Sequence, residues 1–385
     1  MNNISCLHVL IIPSWYVNSY NQLSGIFFKE QAEALAKNDI MTGVLSVQSI
    51  SIKDIWKNKR IDFGFYKENI NKVATYQVQY PSPPRLKKIA ASLSFILGKR
   101  LFKKYLKNNG LPDIIHLHSY TQGKLCMWIS KKYDIPYIVT EHSSVFITNS
   151  INASDMLYAA KVFKCSSYNM AVSYMFCGEL ENKYNLQFGY MPNVVNTKYF
   201  KPGKKADGVY TFLNVAFLEK NKNQTMLIGA FIQAFKNNKD VRLVIAGDGP
   251  CYNNLQKMIY EHQMEKQIIL FGQASRTQVL ELMQSSNSFV LSSKKETFGV
   301  VIIEAMSCGL PVVSTRCGGP ENIITDKSYG LLCEQNKDSL SLSMIEVRNN
   351  KDKYIPDLIR KYVVDNYSES VVVNKLVNIY QHILE

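Results

Sequence analysis

Glu296 and Glu304 place two carboxylates around the start of one helix, in the run Glu296-Thr-Phe-Gly-Val-Val-Ile-Ile-Glu304-Ala-Met-Ser-Cys-Gly-Leu-Pro-Val-Val-Ser. Residues 289–291 read as the end of a buried strand and 292–297 as the loop after it. Residues 299–307 read as a helix that leads through Gly309-Leu-Pro311 into another apolar strand. Such a loop lies at the carboxyl edge of a parallel sheet, where open α/β folds bind ligands. The N–H groups of Phe298, Gly299 and Val300 open the helix and suit an anion, and Gly299 lets a ligand come close to the backbone. Carboxylates just before that turn and inside the helix accept hydrogen bonds from hydroxyls flanking the anion. The ligand implied is a polyol joined to a phosphate, such as a nucleotide sugar.

The elements that must position these residues alternate along the chain, the pattern of parallel α/β layers. Strand-like apolar runs fall at 8–12, 40–47, 73–80, 114–117, 137–140 and 169–172, with helical patterns between them at 25–37, 121–132 and 173–184. Residues 191–205 break the rhythm with Pro, Gly and Asn. Strands resume at 210–217, 241–246, 268–271, 288–291, 312–314 and 330–332, and helices near 353–366 and 368–384 close the chain. With 385 residues, two α/β domains are expected. Two further turns suit a phosphate: Gly247-Asp248-Gly249-Pro250 after the strand 241–246, and Gly25 at the head of the helix 25–37. Alone, each is an ordinary strand-to-helix turn. His142 ends the strand 137–140 in Thr-Glu-His-Ser-Ser. His116 and His118 end the preceding one on a shared face, with no third ligand at metal spacing.

The run from Ser293 to Ser314, with Ser-x-x-Glu-Thr-Phe-Gly and Glu-Ala-Met-Ser-x-Gly-x-Pro-Val-Val around the two carboxylates, resembles the E-x7-E motif of the retaining glycosyltransferases of family 4. The resemblance extends over essentially the whole chain and is densest at 240–335. It implies the GT-B architecture, two Rossmann-like doubly wound parallel-sheet domains facing across a cleft. Residues 1–195 would form the acceptor domain and 196–367 the nucleotide-sugar donor domain, with the helix at about 368–385 packing back on the first. It gives Glu296 the donor sugar, Glu304 the ribose, Lys222 the diphosphate and His142 the sugar near the reacting carbon. Gly25, Gly247, Asp248, Gly249, Thr297, Phe298, Gly299 and Val300 complete the donor site. The family's diphosphate Arg falls on Phe217, a departure that leaves Lys220 or another cation to replace it.

What the resemblance implies is retaining, metal-independent transfer from a nucleoside-diphosphate sugar, a UDP-sugar foremost, to a glycan or lipid-linked acceptor. The setting would be bacterial-type polysaccharide, lipopolysaccharide or glycoconjugate synthesis. No cofactor is expected, and no Asp-x-Asp or G-x4-G-K-[ST] loop occurs. A 2-epimerase of the same architecture, or a catalytically silent nucleotide-sugar-binding subunit, are the alternatives. The eight cysteines show no C-x2-C pair, so buried thiols in a reducing cytosol are expected.

The formal charge of +14 is uneven. Residues 1–195 hold 22 basic and 12 acidic side chains, net +10, against 23 and 19 in the rest, net +4. The stretch 85–107 has no acidic residue, and at helical spacing Leu97, Leu101 and Tyr105 oppose Lys99, Lys103 and Lys107. A basic amphipathic helix of this kind suits an anionic membrane surface, and equally a solvated face of the domain. A peripheral position on the inner face of the cell membrane is the expected location. A nucleic-acid partner has only the pI of 9.2 in its favour and no recognition module.

Overall fold

The computed structural model describes residues 7–18, 24–51, 55, 61–82, 87–205 and 208–385. Residues 19–23 of the loop before Gly25, and Pro83, Pro84 and Arg85 ahead of the basic helix, lie outside them, as do the side chains of Lys87 and Lys88. The chain divides into two units. The described residues of Met1–Val172 with Cys177–Val194 and Glu369–Glu385 form one, and Ser173–Phe176 with Val195–Ser368 the other.

The first unit is built on an eight-stranded sheet. Its strands are β1 (His8–Pro13), β2 (Met41–Ser51), β3 (Gly64–Ile70), β4 (Val73–Ser82), β5 (Ile114–His118), β6 (Tyr137–Glu141), β7 (Tyr168–Ala171) and β8 (Gly189–Tyr190). They run in the order β3-β4-β2-β1-β5-β6-β7-β8. Central β1 is buried along its length, as a parallel strand covered on both faces must be. Burying Val9, Leu10, Ile11 and Ile12 contributes roughly 1.5–3 kcal/mol each. Helix Ile26–Lys37 lays Phe28, Ala32 and Leu35 on this sheet, and helix Glu369–Leu384 adds Val372, Val373, Leu376, Val377 and Tyr380 to the same core.

One strand departs from the parallel arrangement. β3 pairs antiparallel with β4 across the turn Asn71-Lys72, both residues at positive φ, and forms an exposed edge. The sequence Gly-Phe-Tyr-Lys-Glu-Asn-Ile carries neither a buried run nor an alternating one, so nothing in its pattern marks a strand.

The second unit holds six parallel strands: β9 (Tyr210–Val215), β10 (Val241–Ala246), β11 (Ile268–Gly272), β12 (Ser288–Leu291), β13 (Val312–Thr315) and β14 (Gly330–Cys333). Their order is β11-β10-β9-β12-β13-β14, the doubly wound arrangement whose connections reverse direction between β9 and β12. Phe212, Leu243, Ile245, Val290 and Val313 meet Leu227, Ile228, Phe231, Leu340 and Met344 from helices Gln224–Phe235 and Lys337–Asn349 in a second core. Each sheet therefore has its own reversal point, β1/β5 in the first and β9/β12 in the second, and loops at such points are where α/β sheets hold ligands. Among the described residues, no helix is long and apolar enough to cross a membrane.

Candidate active site

In the second unit the loops after β9, β12 and β13 are tied to one another. Lys294 N–H donates to the Asn221 carbonyl at 2.8 Å, Ser292 Oγ to the Lys222 carbonyl at 2.8 Å and Thr315 Oγ1 to the Ser293 carbonyl at 2.6 Å. Glu296 bonds through its N–H to the Cys317 carbonyl at 2.8 Å, and its own carbonyl accepts from Gly319 at 2.9 Å. The backbone that carries Glu296 is thus fixed from both sides of the reversal point.

Its side chain is held as firmly. Oε1 accepts from Lys222 Nζ at 2.6 Å and from Ser293 Oγ at 2.7 Å. Burial acts to lower the Lys222 pKa, but the adjacent carboxylate more than offsets it, and the ammonium is held above its ordinary value. Lys222 and Glu296 lie 74 residues apart, and the strand order makes them neighbours.

Gly299 begins helix Val300–Ser307 at φ 100°, in the region that side chains with a Cβ rarely adopt. Phe298 is buried against the Tyr367 ring, and Thr297 lies half-buried before it. Glu304, on the first turns of this helix, is buried and accepts from Arg276 Nη1 at 3.0 Å. Burial raises the Glu304 carboxyl, and the Arg276 guanidinium opposes that rise. Arg276 in turn lies over the Phe200 ring at 4.7 Å. Sequence reasoning missed Arg276, which starts helix Arg276–Ser285 well away from any motif. An Arg following the capping-box Ser275 is unremarkable on its own.

The remaining donor-site positions fall on the β10 turn. A Cβ on Gly247 would sit 1.9 Å from the Ala216 carbonyl oxygen, and one on Gly249 2.5 Å from that of Leu218. Close packing of the β9 loop therefore accounts for both glycines, and Asp248 Oδ1 accepts from Gly249 N–H at 2.8 Å. Phe217 projects from that loop with more than half its surface exposed.

A second cluster stands at the reversal point of the first unit. Gly25 heads helix Ile26–Lys37 at φ 68°, where a Cβ would press within 2.8 Å of the Trp15 carbonyl oxygen. His118 ends β5, and His142 follows Glu141 at the end of β6. His118 Nδ1 lies 3.0 Å from His142 Nε2, and the His116 and His118 rings stack at 4.1 Å. His116 bonds the Tyr380 hydroxyl through Nδ1 and Thr140 Oγ1 through Nε2, each at 2.7 Å. Phe28 packs against both His118 and His142. Burial brings the pKa of His116 and His142 down to about 3 and that of His118 well below the usual histidine value, so all three rings are neutral at pH 7.

Glu141, quoted in the motif but given no role by it, is the buried clamp of this loop. It accepts from the N–H groups of Tyr120, His142 and Ser143 at 3.0, 2.9 and 2.8 Å. Burial pushes its carboxyl up to about 7 despite these bonds. Among the described residues, no three His, Cys, Asp or Glu side chains gather as a metal site would require.

Residues 60–199 match the family described as Glycosyltransferase Family 4, and residues 195–359 that described as Glycosyl transferases group 1. An uncharacterised glycosyltransferase of Methanocaldococcus jannaschii is 27% identical over 318 residues, 80% of this chain and 83% of that protein. The sucrose-phosphate synthase of Thermosynechococcus elongatus superposes with a TM-score of 0.79 at 16% identity, over 98% of this chain and 99% of that one. HepE of Anabaena, solved in complex with UDP-glucose, superposes with a TM-score of 0.71 at 14% identity, over 98% and 100%. At these identities the two structures speak for the fold.

Proposed function

The chain belongs to the GT-B glycosyltransferases of the family 4 type, and from that premise we propose that it transfers a sugar, with retention and without a metal, from a nucleoside-diphosphate sugar to a glycan or lipid-linked acceptor. The observation that carries the reading is the Lys222–Glu296 pair at the reversal point of the second sheet, beside the Gly299 turn and the buried Glu304. Glu296 accepts hydrogen bonds from the donor sugar, Glu304 from the ribose, and Lys222 turns an N–H toward the diphosphate while still facing the carboxylate. The N-terminus of helix Val300–Ser307 adds backbone N–H groups to the same anion. UDP-glucose in the Anabaena neighbour makes a UDP-sugar the first donor to try.

In the mechanism proposed, the acceptor hydroxyl attacks on the face from which the diphosphate leaves, through an oxocarbenium-like state. The departing phosphate takes up the acceptor proton. Lys222 and the helix N-terminus neutralise the charge that builds on the leaving group, and the rest of the site positions the reactants. A panel of nucleotide sugars tests this directly. The true donor, at a hundred times its Kd, should stabilise the fold by ~2.7 kcal/mol, and should turn over with its anomeric configuration kept, in EDTA as in magnesium. A 2-epimerase would convert the donor without an acceptor, and a silent subunit would bind without turnover. No melting shift from any nucleotide sugar, or activity abolished by EDTA and restored by magnesium or manganese, would overturn the corresponding part of the proposal.

For the acceptor, helix Lys87–Asn109 supports an encounter at a membrane. Ile89, Leu93 and Ile96 lie exposed along one stripe, and Arg100, Lys103 and Lys107 continue it at helical spacing. Leu101, Phe102 and Tyr105 are buried on the other side, so this stripe takes no part in the core. A basic residue near an anionic bilayer is worth about 1 kcal/mol, and salt weakens it. Replacing Lys99, Arg100, Lys103, Lys104 and Lys107 by Gln is therefore expected to abolish co-sedimentation with anionic liposomes at low salt and leave donor binding unchanged. Equal pelleting of the two proteins would assign the stripe to solvent.

A further inference from the structure

We infer that a directional chain of hydrogen bonds from Gln31 through His118 fixes His142 as its Nδ1–H tautomer, so that His142 serves as a hydrogen-bond donor and not as a base. The inference rests on the reading of His142 as a contact to the transferred sugar, and it adds what kind of contact that ring can make.

The direction of the chain follows from the atoms that face one another. Gln31, buried on helix Ile26–Lys37, presents its amide Nε2 to His118 Nε2 at 3.5 Å. An amide nitrogen only donates, so His118 Nε2 is the acceptor. A buried, neutral imidazole carries one N–H, which in His118 must then be on Nδ1. That nitrogen faces His142 Nε2 at 3.0 Å, and it donates there. His142 Nε2 is thereby occupied as an acceptor, and the single proton of His142 belongs on Nδ1. The reverse polarity would need the Gln31 amide turned over, with its oxygen in place of Nε2 toward His118.

His116 does not compete for the chain. It stacks on His118 without bonding to it, and its own nitrogens are taken by Tyr380 and Thr140. Phe27 and Phe28 cover the His142 ring at 5.3 and 4.9 Å between centroids, and Glu141 fixes the backbone beneath it. The ring therefore has little freedom to rotate and exchange its two nitrogens. His118 is on this account a positioning residue. With Nε2 engaged and Nδ1 protonated, His142 has no lone pair with which to deprotonate an acceptor hydroxyl, in keeping with a reaction in which the leaving phosphate takes that proton.

The test is a long-range proton–nitrogen correlation spectrum of the full chain labelled with 15N-histidine at pH 7.5, which reports the nitrogen that carries hydrogen in each of the six rings. His118 and His142 are both expected as Nδ1–H. His142 found as Nε2–H overturns the inference and leaves the glycosyltransferase reading untouched. His118→Leu removes the donor, so His142 should move to a mixture of tautomers, and kcat should fall about tenfold at unchanged donor KM. His118→Asn keeps an N–H near the place of Nδ1 and should hold His142 as Nδ1–H. An unaltered His142 spectrum in the Leu variant also overturns the chain. An Nδ1–H His142 in a protein that turns over no nucleotide sugar would instead uphold the chain and remove the role in transfer.

Discussion

Glu296→Gln is expected to reduce turnover by roughly 10–150-fold while the donor KM stays near its wild-type value, the loss of one charged hydrogen bond of ~1.5–3 kcal/mol. The amide occupies the same space and can still accept from Ser293 Oγ, which reaches Glu296 at 2.7 Å, so the loop keeps its shape. What changes is charge. In the proposed mechanism the carboxylate strengthens its bonds to sugar hydroxyls as positive charge builds at the anomeric carbon; the amide would not, and Lys222, 2.6 Å away, loses its counter-ion. A Lys222 freed in this way is more available to the diphosphate, which holds the KM down as kcat falls. Glu304→Gln should divide the other way, with a raised donor KM and a smaller change in kcat, because its partner Arg276 would then hold a neutral amide at the place proposed for the ribose. Steady-state kinetics on folded variants reads both numbers. Wild-type kcat in Glu296→Gln would show that this carboxylate does not serve the reaction.

The second large effect is on stability. Below pH 6.5 the unfolded chain protonates His116, His118 and His142, whereas the folded chain, which holds the first and last near a pKa of about 3, does not. A histidine whose pKa is lowered by folding contributes stability that is full above pH 6.5 and is lost as the pH falls toward the folded value. Glu141 works in the opposite sense. Its carboxyl is raised to about 7 in the fold, so between pH 7 and 4.5 it takes up a proton in the folded state and offsets one of the three histidines.

The balance is about two protons bound on unfolding, or ~2.7 kcal/mol per pH unit. From pH 6.5 to 5 that is ~4 kcal/mol, which for a unit of this size lowers Tm by roughly 8–16 °C. This window lies above ordinary carboxylate titration, and His8, whose pKa burial also lowers, adds to the loss in the same direction. All three tryptophans of the chain precede residue 173, and the two that are described, Trp15 and Trp128, belong to the first unit, so tryptophan fluorescence follows the unit that holds the histidines. A tryptophan-detected Tm that stays flat between pH 6.5 and 5 would mean that the rings are solvated.

Much of the fold is legible in the chain because parallel strands buried on both faces are written as continuous apolar runs, β1 and β10 among them. The antiparallel β3 has no such run. It is held by its backbone ladder to β4 on an exposed edge, where composition is nearly free. The site divides along the same line. The loop and helix that carry Glu296 and Glu304 are contiguous, so their geometry follows from local pattern. Arg276 comes to Glu304 from a separate helix, and Gln31 and Tyr380 reach His118 and His116 across 87 and 264 residues. Such partners are set by sheet order and helix register. Glu141 was visible beside His142, but a lone carboxylate at a strand end does not announce that it will be buried.

Tyr380 and the rest of helix Glu369–Leu384 complete a core whose other residues are present by residue 194. During synthesis, then, the first unit has all eight strands of its sheet before its last covering helix exists. At ~5–20 residues per second the ribosome needs roughly 10–40 s to pass from residue 194 to the end of that helix. Throughout that interval the part of this core that helix Glu369–Leu384 completes is open to chaperones or to other nascent chains. The second unit, continuous from Val195 to Ser368 except for one short piece made earlier, can settle while the first still waits. In vectorial order the unit begun first is the one finished last.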